Sequence, residues 1–169
     1  MTKRVLFIVL LGAAVGCSSP GRRYEDASED EAQGRWASAC EKYLDVLRRD
    51  PEYPGARDKA HETGNRAVER WSRVAVGLEE AGRFDRAVDE YARADTLLDR
   101  AAAVGVVLAV PDGYALRRGF VHARAAERSL AAADVASAEG RWQDAVKAYR
   151  RALARYDLAQ AERERAMEG

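Results

Sequence analysis

Two cysteines and two histidines carry all the thiol and imidazole chemistry of this chain. Cys40 lies beside an apolar helical face, the setting of a small core residue rather than of an activated thiol. His61 and His122 fall in separate polar stretches with no ligand-spaced mate. Glu25-Asp26-Ala27-Ser28-Glu29-Asp30-Glu31 gathers carboxylates as a calcium loop does, but it lacks that loop's glycine after Asp30 and its terminal glutamate. A solvated face near a helix N-terminus accounts better for the acids. The sequence contains no G-x-S-x-G, H-E-x-x-H, C-x-x-C, phosphate loop or dinucleotide glycine pattern. Most remaining carboxylates alternate with arginines as helix-face pairs. No catalytic residue, metal or cofactor is expected, and the chain reads as a non-enzyme.

Cys17 belongs to a different chemistry. Lys3 and Arg4 make a short positive start, Val5 to Val15 is apolar, and Ala14-Val15-Gly16 supplies small residues just before the cysteine. This resembles a bacterial lipoprotein signal, in which residues 1–16 are removed and Cys17 becomes the lipidated first residue. About thirteen apolar or small residues fall short of the ~20 needed to span a bilayer, whereas several acyl chains on one cysteine anchor stably. The resemblance implies the cell envelope. Ser18 rather than Asp after the cysteine implies sorting to the outer membrane, facing the periplasm. Residues 17–21 are expected to be a short tether reaching at most about 14 Å. Arg22 and Arg23 then either face lipid phosphates or are ordinary surface arginines. With Lys3 and Arg4 gone, 26 basic side chains stand against 28 acidic ones, which suggests no nucleic-acid partner. Cys40 would then be alone, so no disulfide within one mature chain is available.

A ten-residue phrase organises everything else. Gly34-Arg35-Trp36-Ala37-Ser38-Ala39-Cys40-Glu41-Lys42-Tyr43 returns as Gly82-Arg83-Phe84-Asp85-Arg86-Ala87-Val88-Asp89-Glu90-Tyr91. It returns again as Gly140-Arg141-Trp142-Gln143-Asp144-Ala145-Val146-Lys147-Ala148-Tyr149. Such recurrence marks a helical repeat protein. Counted from the aromatic, the marked positions fall at i, i+3, i+4 and i+7, one face of a helix, and Gly-Arg supplies the turn before it. Trp36, Ala39, Tyr43, Phe84, Ala87, Tyr91, Trp142, Ala145 and Tyr149 are therefore expected in the core. Each fully buried ring would contribute roughly 1.5–3 kcal/mol.

The phrase resembles the second half of a tetratricopeptide repeat, a helix-turn-helix unit of roughly 34 residues. Trp71, Val74, Ala75 and Leu78 stand where that unit's first half has Trp, Leu, a small residue and Tyr, so residues 68–101 match a whole unit. The first copy ends in Asp50-Pro51 as the family does, but offers Arg23, Asp26, Ala27 and Asp30 in its first helix, a polar capping half. The third offers Ser129, Ala132, Ala133 and Ala136. The glycines lie 48 and 58 residues apart, so roughly 14 and 24 additional residues must lengthen the helices or their connections. The expectation is an all-α domain over residues 22–169, built from antiparallel helical hairpins. Lengthened helices near 55–81, 84–104, 114–138 and 142–166 would form a bundle-like stack.

Two connections stand out. Residues 51–65 are polar, with a Pro54-Gly55 turn, and Gly64 weakens the following helix enough to suggest a hinge. Val104 to Val110 is apolar and ends at Pro111-Asp112-Gly113. It is either a partner-docking edge or, by preference, buried in the bundle's own end. Leu116, Phe120, Ala123, Ala126, Leu130 and Ala133 read as one core stripe; Trp142, Val146, Tyr149, Leu153 and Tyr156 read as its partner. From Ala161 glutamates alternate with arginines, and the tail is expected to fray beyond Arg165.

Tetratricopeptide repeats bind partners in a groove lined by their first helices. Carried onto this sequence, that groove is Glu69, Ser72, Val76, Glu79 and Glu80, continued by Glu127, Leu130 and Asp134. Its acids and apolar floor would prefer a basic or amphipathic segment. The resemblance implies a membrane-anchored adaptor or assembly factor binding protein partners of a cell-envelope complex. The alternative is a self-associating structural lipoprotein that uses Val104 to Val110. A module holding a small ligand would need a cavity among the helices.

Overall fold

The computed structural model describes residues 19–156 and Met167. The signal stretch, Cys17 and residues 157–166 lie outside the described residues, as do the readings made there. The described residues form six α-helices and no strand: α1 Pro20–Ala32, α2 Trp36–Arg49, α3 Ala56–Glu80, α4 Phe84–Ala102, α5 Tyr114–Ala138 and α6 Trp142–Arg155. Each helix packs on its neighbours in chain order, and α2 also touches α4, giving hairpins stacked into a bundle. Proline at the first helical position and Ser19, whose hydroxyl accepts the Arg22 N–H at 3.3 Å, start α1 inside the stretch expected as tether.

The phrase Gly-Arg is a helix stop before it is a helix start. Gly34, Gly82 and Gly140 have φ of 70°, 66° and 72°, a left-handed conformation that costs glycine nothing. In each copy the glycine N–H and the following arginine N–H reach back to the orphan carbonyls of the preceding helix, Glu31 and Asp30 in the first. The same six residues thus close one helix and open the next, fixing an antiparallel hairpin three times.

Tyr43, Tyr91, Tyr149, Ala39, Ala87 and Ala145 are buried, as the repeat requires. The leading aromatics are not. Trp36, Trp71 and Phe84 are half-buried, and Trp142 is 63% exposed. For Trp142 the reason is positional: the leading aromatic faces the following hairpin, and among the described residues the third copy has none. Val146 is exposed for the same reason. In α5 the core stripe is Val121, Ala125, Ala126, Leu130, Ala133 and Ala136, so Leu116, Phe120 and Ala123 face outward. The 25-residue α5 overshoots the 14-residue α6, which ends at Arg155 instead of running to 166. Among the described residues its first turns pack on α4 and, through Tyr114 and Arg117, on α3.

The hinge reading of Gly64 is also overturned. Gly64 is buried in the middle of continuous α3, and a Cβ there would lie 2.6 Å from Leu108 and 3.0 Å from the Cys40 sulfur. Glycine is needed for the close approach of the α4–α5 connection. That connection runs along α3 as a strap: Arg57 donates to the Gly105 carbonyl at 2.8 Å and the Ala109 N–H donates to Asn65 Oδ1 at 2.8 Å. Val106 and Leu108 point inward, while Val107, Ala109 and Val110 point out.

Candidate functional site

The strap runs along the first half of α3 as far as Asn65 and leaves the face assigned to a partner, which begins at Glu69, open beyond it. There a pocket of about 280 Å³ is lined by Glu69, Ser72, Arg73 and Val76 of α3, Tyr91 of α4, and Pro111, Asp112, Tyr114 and Arg117 at the start of α5. Helical spacing puts Glu69, Ser72 and Val76 on one face. The Pro111-Asp112-Gly113 turn, with Gly113 left-handed at φ 71°, swings Tyr114 in against them.

The walls are neutral and mostly apolar. Tyr91 and Tyr114 meet edge to face with centroids 5.2 Å apart. Burial raises both phenols above their ordinary value, reinforced by Glu79 near Tyr91 and by Asp95 bonded to Tyr114, so both stay protonated. Tyr114 donates to Asp95 at 2.9 Å. Ser72 is 6% exposed, and its Oγ has no hydrogen-bond partner. A buried hydroxyl left in that state costs about 1–3 kcal/mol.

The rim differs from the acidic groove expected. Arg73 pairs with Glu69 at 2.6 Å and Arg117 with Glu79 at 3.1 Å, so two arginines offset most of the acidic charge of Glu69, Glu79 and Asp112 around the opening. Glu80 is exposed outside it. The continuation onto α5 does not join this pocket. Leu130 is core at 2% exposure, Asp134 accepts the Tyr149 hydroxyl at 2.6 Å, and Glu127 pairs with Arg124 beside Phe84. Tyr91, Tyr114, Pro111, Asp112 and Arg117 complete the site and were not assigned to it. The Pro-Asp-Gly turn was legible, but where it delivered the next helix depended on the strap.

A larger cleft of about 460 Å³ opens among α2, α3 and α4, with Trp36 and Trp71 on its walls beside Arg70 and Arg93. It accounts for the half-exposure of both indoles.

The reactive side chains are spent on structure. Cys40 is fully buried, its Sγ donating to the Ala60 carbonyl at 3.3 Å, and burial pushes its thiol up to about 12. Asp30 is buried at the α1–α2 corner. Burial pushes its carboxyl up, but bonds from Lys42, Ser38 and Arg35 outweigh this and hold it well below the usual range. Glu31 accepts from Lys59 at 2.7 Å and from the Tyr43 hydroxyl at 2.9 Å. Asp30 and Glu31 are therefore the polar seam of the first hairpin, while Glu25 and Glu29 of the same run are exposed. His61 is exposed on α3 and lies 3.3 Å from the Asn65 amide. Among the described residues no three His, Cys, Asp or Glu side chains are grouped to hold a metal, and no helix is long and apolar enough to cross a membrane.

No protein-family model matches the chain, and no curated protein or solved structure matches it.

Proposed function

We propose that this chain is a tetratricopeptide-like lipoprotein, anchored through Cys17 at the periplasmic face of the outer membrane, that serves as a protein-binding adaptor or assembly factor of a cell-envelope complex. The observation that carries the reading is the unpartnered Ser72 hydroxyl in an apolar pocket, on the helix face that the repeat resemblance assigns to partners. A volume at the low end of the ~300–1,000 Å³ usual for ligand pockets suits one apolar side chain of a peptide segment. The charge-paired rim favours an amphipathic segment carrying both signs over a purely basic one.

The test is a photoreactive phenylalanine analogue at Val76 in the membrane-anchored protein. A heterologous band of defined mass should form, and it should disappear with Cys17→Ser and with Tyr114→Asp. The same band from an analogue placed at Leu116, outside the pocket, would refute the pocket as the docking site.

A further inference from the structure

The cleft between Trp36 and Trp71 has a counterpart one repeat further on, and the two use their arginines differently. Arg66-Ala67-Val68-Glu69-Arg70-Trp71 on α3 aligns with Arg124-Ala125-Ala126-Glu127-Arg128-Ser129 on α5. Each stretch borders the leading aromatic of the preceding copy, Trp36 in one case and Phe84 in the other. On α5 the fifth residue of the stretch is committed to the fold. The Arg128 guanidinium lies 4.6 Å from the Phe84 ring centroid and donates to the Gly82 carbonyl at 2.5 Å.

On α3 the first residue of the stretch takes over the ring. Arg66 stands 4.5 Å from the Trp36 centroid, and Arg70, the counterpart of Arg128, is exposed without a hydrogen-bond or ion-pair partner among the described residues. Trp71 replaces Ser129, which adds a second indole to the lining. The cleft of about 460 Å³ therefore combines two indoles with an uncommitted guanidinium.

Its charge and shape narrow what can enter. Arg35, Arg70 and Arg93 line it against Glu90 alone. Glu90 pairs with Arg93 at 3.0 Å, and the Asp30 carboxylate that holds Arg35 is shared with Lys42 at 2.8 Å, so neither acid offsets Arg70. Helical spacing sets Arg70, Trp71 and Val74 on the side of α3 opposite Glu69, Ser72 and Val76, so this positive cleft is separate from the Ser72 pocket. Past Val74 it runs on as a trough between α3 and α4 that reaches Leu78 and Arg86. Trp71 to Leu78 covers about 10 Å of helix, the length of roughly three extended residues. A linear occupant fits that course better than a compact one.

We propose that the Trp36–Trp71 cleft binds an extended acidic peptide segment that carries apolar side chains. A carboxylate of the segment pairs with the Arg70 guanidinium, whose planar fork can hold both oxygens. A neighbouring apolar side chain lies between the two indoles, and the next one along covers Val74 and Leu78. The inference rests neither on the Ser72 pocket nor on the anchor at Cys17.

Fluorescence titration of the full chain carrying Trp142→Phe tests it, because Trp36 and Trp71 are then its only indoles. The probe is a capped peptide of alternating aspartate and leucine. It should change the tryptophan emission saturably, and less strongly as salt is raised. Arg70→Gln should weaken binding roughly tenfold to a hundredfold, the loss of a hydrogen bond between charged groups, whereas Arg150→Gln on α6 should leave it unchanged. Val74→Asp, at a side chain already 44% exposed, should abolish binding while thermal unfolding stays cooperative. Absence of a saturable response, an equal response to a lysine–leucine peptide, or binding retained in either cleft variant would overturn the proposal. Acetate saturating the same change at the peptide's own concentration would overturn it in favour of a small carboxylate.

Discussion

The same phrase makes two seams of different character. Between the first and second copies, α3 covers Cys40 completely and the strap adds Leu108 over Gly64, so this part of the joint is dry and closely packed. Between the second and third copies, α5 meets α4 with half-exposed Phe84 and Phe120 6.2 Å apart. Much of the remaining joint is ionic: Arg117 to Glu79, Arg118 to Asp95 at 2.6 Å, and Arg155 to Asp89. A repeat thus specifies a hairpin, while the strength of its joint depends on what the neighbour supplies. The first seam draws on apolar burial, which salt scarcely affects. The second draws on part-exposed charge pairs, each worth about 0–1 kcal/mol and screened by ions.

The largest effect should come from the dry seam. Leu108→Ala removes the side chain packed over Gly64 beside Cys40 and should cost about 2–5 kcal/mol, seen as a large fall in thermal midpoint. A change within a few tenths of a kcal/mol would mean the first seam is not the stronger one. Next comes the polar corner that closes the first hairpin. Asp30→Asn should cost roughly 2–3 kcal/mol at neutral pH, because hydrogen bonds to a charged group are lost. The native carboxyl titrates below its unfolded value of 3.8, so the unfolded chain binds more protons as pH falls. The stabilisation is complete above about pH 4–5 and is lost as acid protonates the native carboxyl. Urea midpoints of wild type and variant should therefore converge below about pH 4. Midpoints that stay parallel would contradict the ionised corner.

Salt should separate the two seams. Raising ionic strength should weaken amide protection of α5 and α6 by about 1 kcal/mol while leaving α2 and α3 nearly unchanged. Equal losses throughout would erase the distinction. Phe120→Ala, at a ring 46% exposed, should be the mildest, within about 1 kcal/mol. A cost near that of Leu108→Ala would show the second seam to be as dry as the first.

Much of the fold was legible in the sequence because its signals are local. Glycines able to turn left-handed, an arginine after each, and a 3.6-residue period fixed three hairpins with the boundaries of α3, α4 and α5 close to those observed. The site was legible in part. Glu69, Ser72 and Val76 do share an open face, since their spacing alone requires it. Leu130 and Asp134 were misassigned because the face of a helix that is buried depends on which helices flank it, and α5 outruns α6. Trp142 was misjudged for the same reason: an aromatic at a repeat position is core when a next repeat covers it.

The sequence by itself determined the helices, their antiparallel pairing and the burial of the small and tyrosine positions, because turn geometry and helical period act over a few residues. Tertiary structure decided that the apolar Val104 to Val110 connection folds down along α3, which makes Gly64 a packing requirement and confines an expected groove to one pocket. It also decided that Asp30 is a buried hub and that Trp142 ends the stack uncovered. These depend on contacts between residues far apart in the chain, where the free energy of burial is shared between partners that no local pattern names.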